Sequence, residues 1–389
     1  MKGGWEYSKI GKLCKTYSGG TPLKNVKEYY QDGTIPWLRS GEVCKKYIDK
    51  TEMFITQKGL ENSSAKYYPI DTVVVAMYGA TAAQVGILKI EATSNQAVCG
   101  IIPNSNFQPE FLYYFFSYRK EFLASQAQGG AQPNISQVKI KNLEVPVPPL
   151  SEQQSIVDYL DSAFAKIDAM KANAEKALGE AKALFQASLK EMLEPKEGWE
   201  EKKLEDITEV KDGTHDSPKY VTEGIPFVTQ KNITISGFDL LNTKKITLED
   251  HKKFYTRSNV EFGDIIIAMI GANRGMSCIV DTREIFSIKN VGLIKKNDNI
   301  NMRYLLFYLH SPSANTYILN NSNGGAQEFI GLKGLRTFPI PYPPLSEQQS
   351  IVTTLDSLKS KVDQLQENYD KISQECDALK QAILRQVFE

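Results

Sequence analysis

Few residues in this chain could carry covalent chemistry. Only three of its 389 residues are histidine, and His215, His251 and His310 are too scattered to match a metal-ligand spacing. His215 beside Asp216, in a Gly-Thr-His-Asp stretch, is the one tempting acid–base pair; its counterpart in the first half of the chain is Pro22, which argues against catalysis. The five cysteines (Cys14, Cys44, Cys99, Cys278 and Cys376) are odd in number and form no Cys-x-x-Cys pair. Scattered, reduced core thiols are therefore expected, with no disulfide framework and no zinc site. No Gly-x-x-x-x-Gly-Lys-[Ser/Thr] loop is present to cradle ATP, and no convincing Gly-x-Gly-x-x-Gly follows a strand. Pro341-Tyr342-Pro343-Pro344 faintly resembles the Asn/Asp-Pro-Pro-Tyr/Phe motif of amino-methyltransferases, but its order is wrong and the leading amide or carboxylate is missing, so it reads as a loop.

Long apolar runs are missing too. The longest, at 73–77 and 265–270, fall far short of the roughly 20 residues that a membrane span needs. The opening MKGGWEYSKIGK has no apolar signal-peptide core, so a cytoplasmic protein with no membrane partner is expected. Net charge is zero, from 46 Lys+Arg against 46 Asp+Glu. Its distribution is uneven. Residues 1–147 carry 17 basic and 12 acidic groups, residues 196–342 carry 19 and 18, and 148–195 and 343–389 each carry 5 and 8. The first and third segments are thus the more positive, a tilt compatible with phosphate contacts.

What the chain does have is an internal repeat. Pro-Pro-Leu-Ser-Glu-Gln-Gln-Ser-Ile-Val stands at 148–157 and again at 343–352, and Gly-Gly-Ala-Gln at 129–132 and 324–327, both at an offset of 195. With small drifts, Gly4-Trp5 answers Gly198-Trp199, Gly20-Thr21 answers Gly213-Thr214, and Ile35-Pro36-Trp37 answers Ile225-Pro226-Phe227. Val75-Ala76-Met77-Tyr78-Gly79-Ala80 likewise answers Ile267-Ala268-Met269-Ile270-Gly271-Ala272. A period this long marks duplicated domains with loops of different length.

Each Pro-Pro stops what precedes it, and Ser151 with Gln154, like Ser346 with Gln349, then reads as a capping box. Glu152 and Glu347 fall in the first turn, where the helix dipole favours negative charge. Apolar residues follow at alternating spacings of four and three. The first seam is Ile156, Leu160, Ala163, Ile167, Met170, Ala174, Ala177, Ala181 and Leu184. The second is Ile351, Leu355, Leu358, Val362, Leu365, Tyr369, Ile372, Cys376, Leu379 and Ile383. These are coiled-coil seams. Each helix has about 43 residues and is therefore roughly 64 Å long. Small alanines in one seam suit larger residues in the other, as an antiparallel pair would need. The expected architecture is α+β: two tandem mixed α/β domains, 1–147 and 196–342, joined by long helices at 148–195 and 343–389. Such an object is pseudo-twofold and matches the approximate twofold of duplex DNA.

Within the two domains, β-rich runs at 71–77, 86–90, 264–269 and 277–280 alternate with glycine-rich turns, and one aromatic helix is expected at 109–124 and another at 301–319. Their Tyr113, Phe116 and Phe122, and Tyr304, Phe307 and Tyr308, read as core. Loop residues suited to DNA are Ser18, Thr21, Lys24, Arg39, Ser40, Lys45, Lys46, Tyr78, Thr81, Gln84 and Gln132 in the first domain. In the second they are Thr214, His215, Lys219, Gln230, Lys231, Asn232, Asn273, Arg274 and Gln327. Lys and Arg neutralise phosphates and read guanine, and Asn and Gln can pair bidentately with adenine.

The repeated Pro-Pro-Leu-x-Glu-Gln-x-x-Ile-Val string opening a long helix, the Gly-Gly-Ala-Gln turn upstream of each copy and the Ile-Pro-Trp-Leu-Arg-Ser-Gly segment at 35–41 together resemble the specificity (S) subunit of type I restriction-modification enzymes. The resemblance covers essentially the whole chain. It implies that each domain is a target-recognition domain reading one half of a split double-stranded DNA site. It implies that the helices set the spacer and dock two modification (methyltransferase) subunits, with Glu152, Gln153, Gln154, Glu347, Gln348 and Gln349 as docking candidates. S-adenosylmethionine would then sit on those partners, ATP and Mg on restriction subunits where these are present, and no cofactor, metal or catalytic residue on this chain. Trp37-Leu38-Arg39-Ser40 differs from Phe227-Val228-Thr229-Gln230, so an asymmetric target is expected. Three rivals compete with this reading. A stand-alone DNA-binding protein fits poorly with zero net charge. A fused enzyme lacks its motifs, and a coiled-coil scaffold leaves the polar-looped domains without a use.

Overall fold

Alternating side chains along the central strands decide the layering. In the computed structural model, which describes residues 4–126, 134–234, 237–323 and 328–389, Val73, Val75 and Met77 enter one hydrophobic core while Val74 and Ala76 enter another. Ile265, Ile267 and Met269 part from Ile266 and Ala268 in the same way. A strand buried on both faces must be apolar throughout, which is why these runs read as continuous rather than alternating.

The chain divides into two compact units, Met1–Ala174 with Asp370–Glu389 and Glu175–Tyr369. In the first, Val73–Ala76 lies at the centre of a five-stranded sheet in the order Thr16–Ser18, Val98–Ile101, Val73–Ala76, Val85–Leu88 and Tyr47–Ile48. All neighbours are antiparallel except the last pair. A three-stranded sheet, Phe54–Ile55, Ile35–Leu38 and Thr93–Ser94, and the antiparallel pair Tyr7–Lys9 with Glu144–Pro146 lie in the same unit. The second unit repeats the plan. Its four-stranded sheet runs Val210–Asp212, Val291–Ile294, Ile265–Ala268 and Ser277–Ile279, and its three-stranded sheet runs Lys244–Ile246, Ile225–Val228 and Ser287–Ile288. Where the first unit adds the parallel edge Tyr47–Ile48, the second has the hairpin Ile233–Thr234 with Gly237–Phe238.

Each expected aromatic helix is broken in two. The first becomes Pro109–Tyr118 and Lys120–Ser125, turned at Arg119 (φ −84°, ψ 3°). The second becomes Met302–Leu309 and Pro312–Asn320, because Pro312 takes the first helical position and the Ser311 hydroxyl accepts from the Ala314 N–H to start a new helix. Phe116, Tyr304, Phe307 and Tyr308 are buried as core residues; Phe122, beyond the turn, is exposed.

Both long helices have 44 residues, Leu150–Leu193 and Leu345–Phe388, and each contributes a stretch to both units. They begin one residue before the expected caps. Pro149 and Pro344 supply the first carbonyls of their helices, so Ser151 and Ser346 lie inside the first turn and the capping boxes do not form. Instead, Gln154 donates to Asp158. In the first unit the stretches run antiparallel, with Asp168 paired to Lys380 and Lys171 to Asp377. In the second, Lys182 donates to Gln366 while Leu189 and Leu193 join the cluster of Ile351, Val352 and Leu355, which is again antiparallel. The first seam keeps Leu160 and Ile167 buried and Ala174 and Ala181 half-buried, but its other edge lies one residue later than the spacing suggested. Leu178 is buried and Phe164 and Phe185 half-buried, while Met170, Ala177 and Leu184 are exposed. In the second seam only Leu379 is exposed. Of the thiols, Cys14, Cys99, Cys278 and Cys376 are buried and Cys44 is exposed, and all are free. Burial pushes Cys99 and Cys278 up to about 12, which keeps them inert thiols.

Candidate nucleic-acid interface

Backbone pairing shows which loop residues of the two units correspond. Val73 pairs with Ile101 and Ile265 with Ile294; Ser18 pairs with Cys99 and Asp212 with Gly292. The amide of Gly19 then donates to Val98 and that of Gly20 to Ser94, as Gly213 donates to Val291 and Thr214 to Ile288. The structural match is therefore Gly19-Gly20-Thr21 to Gly213-Thr214-His215, one residue off the sequence match. His215 corresponds to Thr21, not to Pro22. A side chain at Gly19 or Gly213 would strike the carbonyl oxygen of Ser94 or Ile288 at 2.2 and 2.4 Å, so close strand approach demands the shared glycine.

This register builds the same cleft twice. In the first unit the Thr21 hydroxyl donates to Gln96, and the Trp37 indole donates to the Gly20 carbonyl at 2.9 Å. Lys24, Lys27 and Arg39 also line that cleft. In the second, His215 Nδ1 lies 2.8 Å from Asn290 Oδ1, the position matching Gln96, and Phe227 replaces Trp37. Gln230, Lys231 and Lys289 line it. Two parallel strand pairs, Leu38 with Ser94 and Val228 with Ile288, place Asn95-Gln96 and Lys289-Asn290 at its edge. Reasoning from sequence missed these four residues. The signal was the polar pair that follows each short strand, which becomes visible only once the parallel pairing is known.

A second repeated element is the turn after each central strand. Gly79 (φ 76°) and Gly271 (φ 75°) hold the same left-handed backbone in it. A methyl group at Gly79 would meet no atom within 4 Å, so backbone conformation, and not space, requires glycine there. Each turn pairs with the segment just after a Gly-Gly-Ala-Gln copy, through Tyr78 with Asn134 and Ile270 with Phe329. Gln132 and Gln327 themselves lie outside the described residues.

The remaining candidates divide by what holds them. Lys24, Lys45, Tyr78, Lys219, Lys231 and Asn273 are exposed, and Thr21, Ser40, Thr81, Gln84 and Gln230 half-buried. Gln230 Oε1 is a buried acceptor at its cleft with no partner among the described residues. Arg39 is bonded to Glu42 and Glu52. Four candidates are held by bonds within their own unit. Thr214 is buried, its hydroxyl accepting from the Asp216 amide. Asn232 is buried too, its oxygen capping the turn at Thr229. The Arg274 guanidinium is held by the Gly271 carbonyl, Ser322 and Glu328, and orders its own turn. Lys46 reaches inward to Asp161 and Tyr114 instead of outward. Burial, reinforced by the bond to Asp161, raises the Tyr114 phenol well above its ordinary value, so that it stays a donor.

Gln153 and Gln348, expected to dock partners, are wholly buried and bonded within their own units. Glu152 and Glu347 accept from the indoles of Trp5 and Trp199. Gln154 is exposed, and Gln349 accepts from Asn301. Among the described residues no group of three or more His, Cys, Asp or Glu side chains is placed to hold a metal, and no helix is long and apolar enough to cross a membrane.

Comparison with known proteins agrees with the duplication. The family described as type I restriction modification DNA specificity domain matches at residues 2–178 and again at 196–374, and the chain belongs to that family. It is 30% identical over 161 residues to the EcoR124I/EcoR124II specificity subunit of Escherichia coli, covering 40% of each chain. It is 28% identical to the MjaIX specificity subunit of Methanocaldococcus jannaschii, over 66% of this chain and 65% of the relative. The match to the EcoKI specificity subunit of Escherichia coli strain K12 is 24% identical over 99% of this chain and 88% of that one. Among solved structures, a chain described in work on complex assembly and conformational transition of the type I R-M system has a TM-score of 0.78 at 20% identity, covering 100% of this chain and 98% of that one. The HsdS subunit from Thermoanaerobacter tengcongensis has a TM-score of 0.61 at 19% identity, covering 100% and 97%. The fold, α+β with repeated halves and two long helices, is shared with these.

Proposed function

We propose that this chain is the non-catalytic DNA-reading subunit of a type I restriction-modification enzyme, each unit reading one half of a split double-stranded site. The observation that carries this is the cleft built twice on one backbone register but lined differently: Thr21, Trp37, Arg39 and Gln96 in one unit, and in the other Phe227, Thr229, Gln230 and Asn290, the last bonded to His215. A common frame with unlike polar groups suits two unlike half-sites. Lys24 and Lys27, like Lys231 and Lys289, would meet phosphates, while the amides of Gln96, Gln230 and Asn290 would meet base edges. The Gln230 oxygen, which has no partner among the described residues, would accept from a donor such as a base amine.

The long helices would set the spacer between half-sites and dock two modification subunits, which supply S-adenosylmethionine and methylate adenine. Restriction subunits, where present, supply the ATP- and Mg-dependent steps. The setting would be the cytoplasm. Selection of binding sites from random duplexes by the assembled complex tests the reading. A split site with two different halves is expected, and a palindromic site would contradict it. Removing one heptad from each helix should shorten the tolerated spacer or abolish binding; an unchanged spacer would contradict the ruler role.

A further inference from the structure

Near its start each long helix carries the same three hydrogen-bonding groups: Glu152, Gln153 and Asp161 in the first, Glu347, Gln348 and Asp356 in the second. In the first unit they reach three segments of the globular body, at Trp5, Gln108 and Lys46; in the second Glu347 reaches Trp199, while Gln348 and Asp356 both reach the start of one helix, at Asn301 and Arg303. Trp5 donates to Glu152 at 3.0 Å and Trp199 to Glu347 at 3.1 Å, which ties each helix to the segment just before a short strand, Tyr7–Lys9 or Glu200–Lys203. Gln153 accepts from the Gln108 amide at 2.9 Å, and Gln348 from the Asn301 amide at 2.8 Å. Gln108 and Asn301 are the residues that precede the aromatic helices Pro109–Tyr118 and Met302–Leu309. The same glutamines donate back to Pro148 at 2.9 Å and Pro343 at 2.8 Å. Asp161 takes Lys46 and Tyr114, and Asp356 takes the Arg303 guanidinium.

Geometry gives the triplet its meaning. At about 100° per residue the three side chains leave the helix at roughly 0°, 100° and 180° around its circumference, over about two and a half turns. One contact would leave a helix free to tilt, and two would leave it free to roll about the line between them. Three spread in this way remove both freedoms. The middle group is wholly buried in both units, and its amide oxygen and nitrogen are both bonded.

We infer that Glu152, Gln153 and Asp161, and their counterparts Glu347, Gln348 and Asp356, are positioning residues for spacer discrimination, clamping each recognition body rigidly to its stretch of long helix. The inference rests on the ruler reading above. One added base pair shifts a half-site by about 3.4 Å and turns it by about 35°. A body that swivels on its helix absorbs that change; a clamped body forces the DNA to deform, and the deformation energy becomes selectivity.

The test uses the full chain assembled with its modification subunits. Adenine methylation is measured on duplexes with the cognate spacer and with one base pair added or removed. Wild type should favour the cognate spacer by at least about tenfold, on the scale of a single mismatched base pair. The paired variants Q153M/Q348M and D161N/D356N should lower that ratio several-fold while leaving the base preference of each half-site unchanged, and D356E, which can keep its arginine, should retain the ratio. D161N/D356N changes carboxylates that are partly exposed, so it remains informative if the buried glutamine variants do not fold. A wild-type ratio in D161N/D356N, together with a lowered melting temperature that shows the contacts are lost, would overturn the inference. A wild-type complex that accepts all three spacers equally would instead overturn the ruler reading.

Discussion

Thr21 and His215 occupy one backbone position, and each holds the polar group of the opposite strand edge, Gln96 or Asn290. His215 also faces Asp212, which accepts both prongs of the Arg257 guanidinium at 2.9 Å. The histidine that looked like half of an acid–base pair with Asp216 is thus bonded instead to Asp212 and to Asn290, which lines the cleft. The duplication exposed this only after strand register had aligned the halves one residue away from the letter match. His215→Ala should change base preference in one half-site and leave the other intact, as read by methylation of a library randomised at both halves. Equal change in both halves would remove the cleft assignment. Loop candidates were harder to read, because sequence gives polarity but not direction. Lys45 and Lys46 are neighbours, yet one is exposed and the other bonds inward to Asp161.

At the scale of elements, the long helices were legible because a heptad repeat records its own burial over many turns, and their 44 residues match the periodic segments. The edge of the first seam was not. Residues at i+3 and i+4 lie on neighbouring faces, and alanine at 163 and 177 scores as apolar beside the larger Phe164 and Leu178 that are packed. Leu178→Ala should cost roughly 2–5 kcal/mol. Met170→Ala, at a position 59% exposed, should stay within about 0.5 kcal/mol in chemical denaturation. The reverse order would restore the register suggested by spacing alone. The aromatic helices failed as single elements for a local reason in the second unit, where Pro312 after the capping Ser311 restarts the helix; in the first unit no proline marks the turn at Arg119.

For the whole molecule, duplication was the most legible property, since ten identical residues recurring at an offset of 195 leave little room for accident. Zero net charge is consistent with a chain whose affinity for DNA depends on partners, because a lone binder would draw on phosphate neutralisation. The two unlike clefts then predict a target of two unlike halves. Genome-wide methylation in the host, compared with and without this gene, tests the central claim most directly. Loss of adenine methylation at one split, asymmetric motif, with all other motifs unchanged, is the predicted result. Methylation that persists at every motif when the gene is removed, in a host whose modification subunits are expressed, would contradict it.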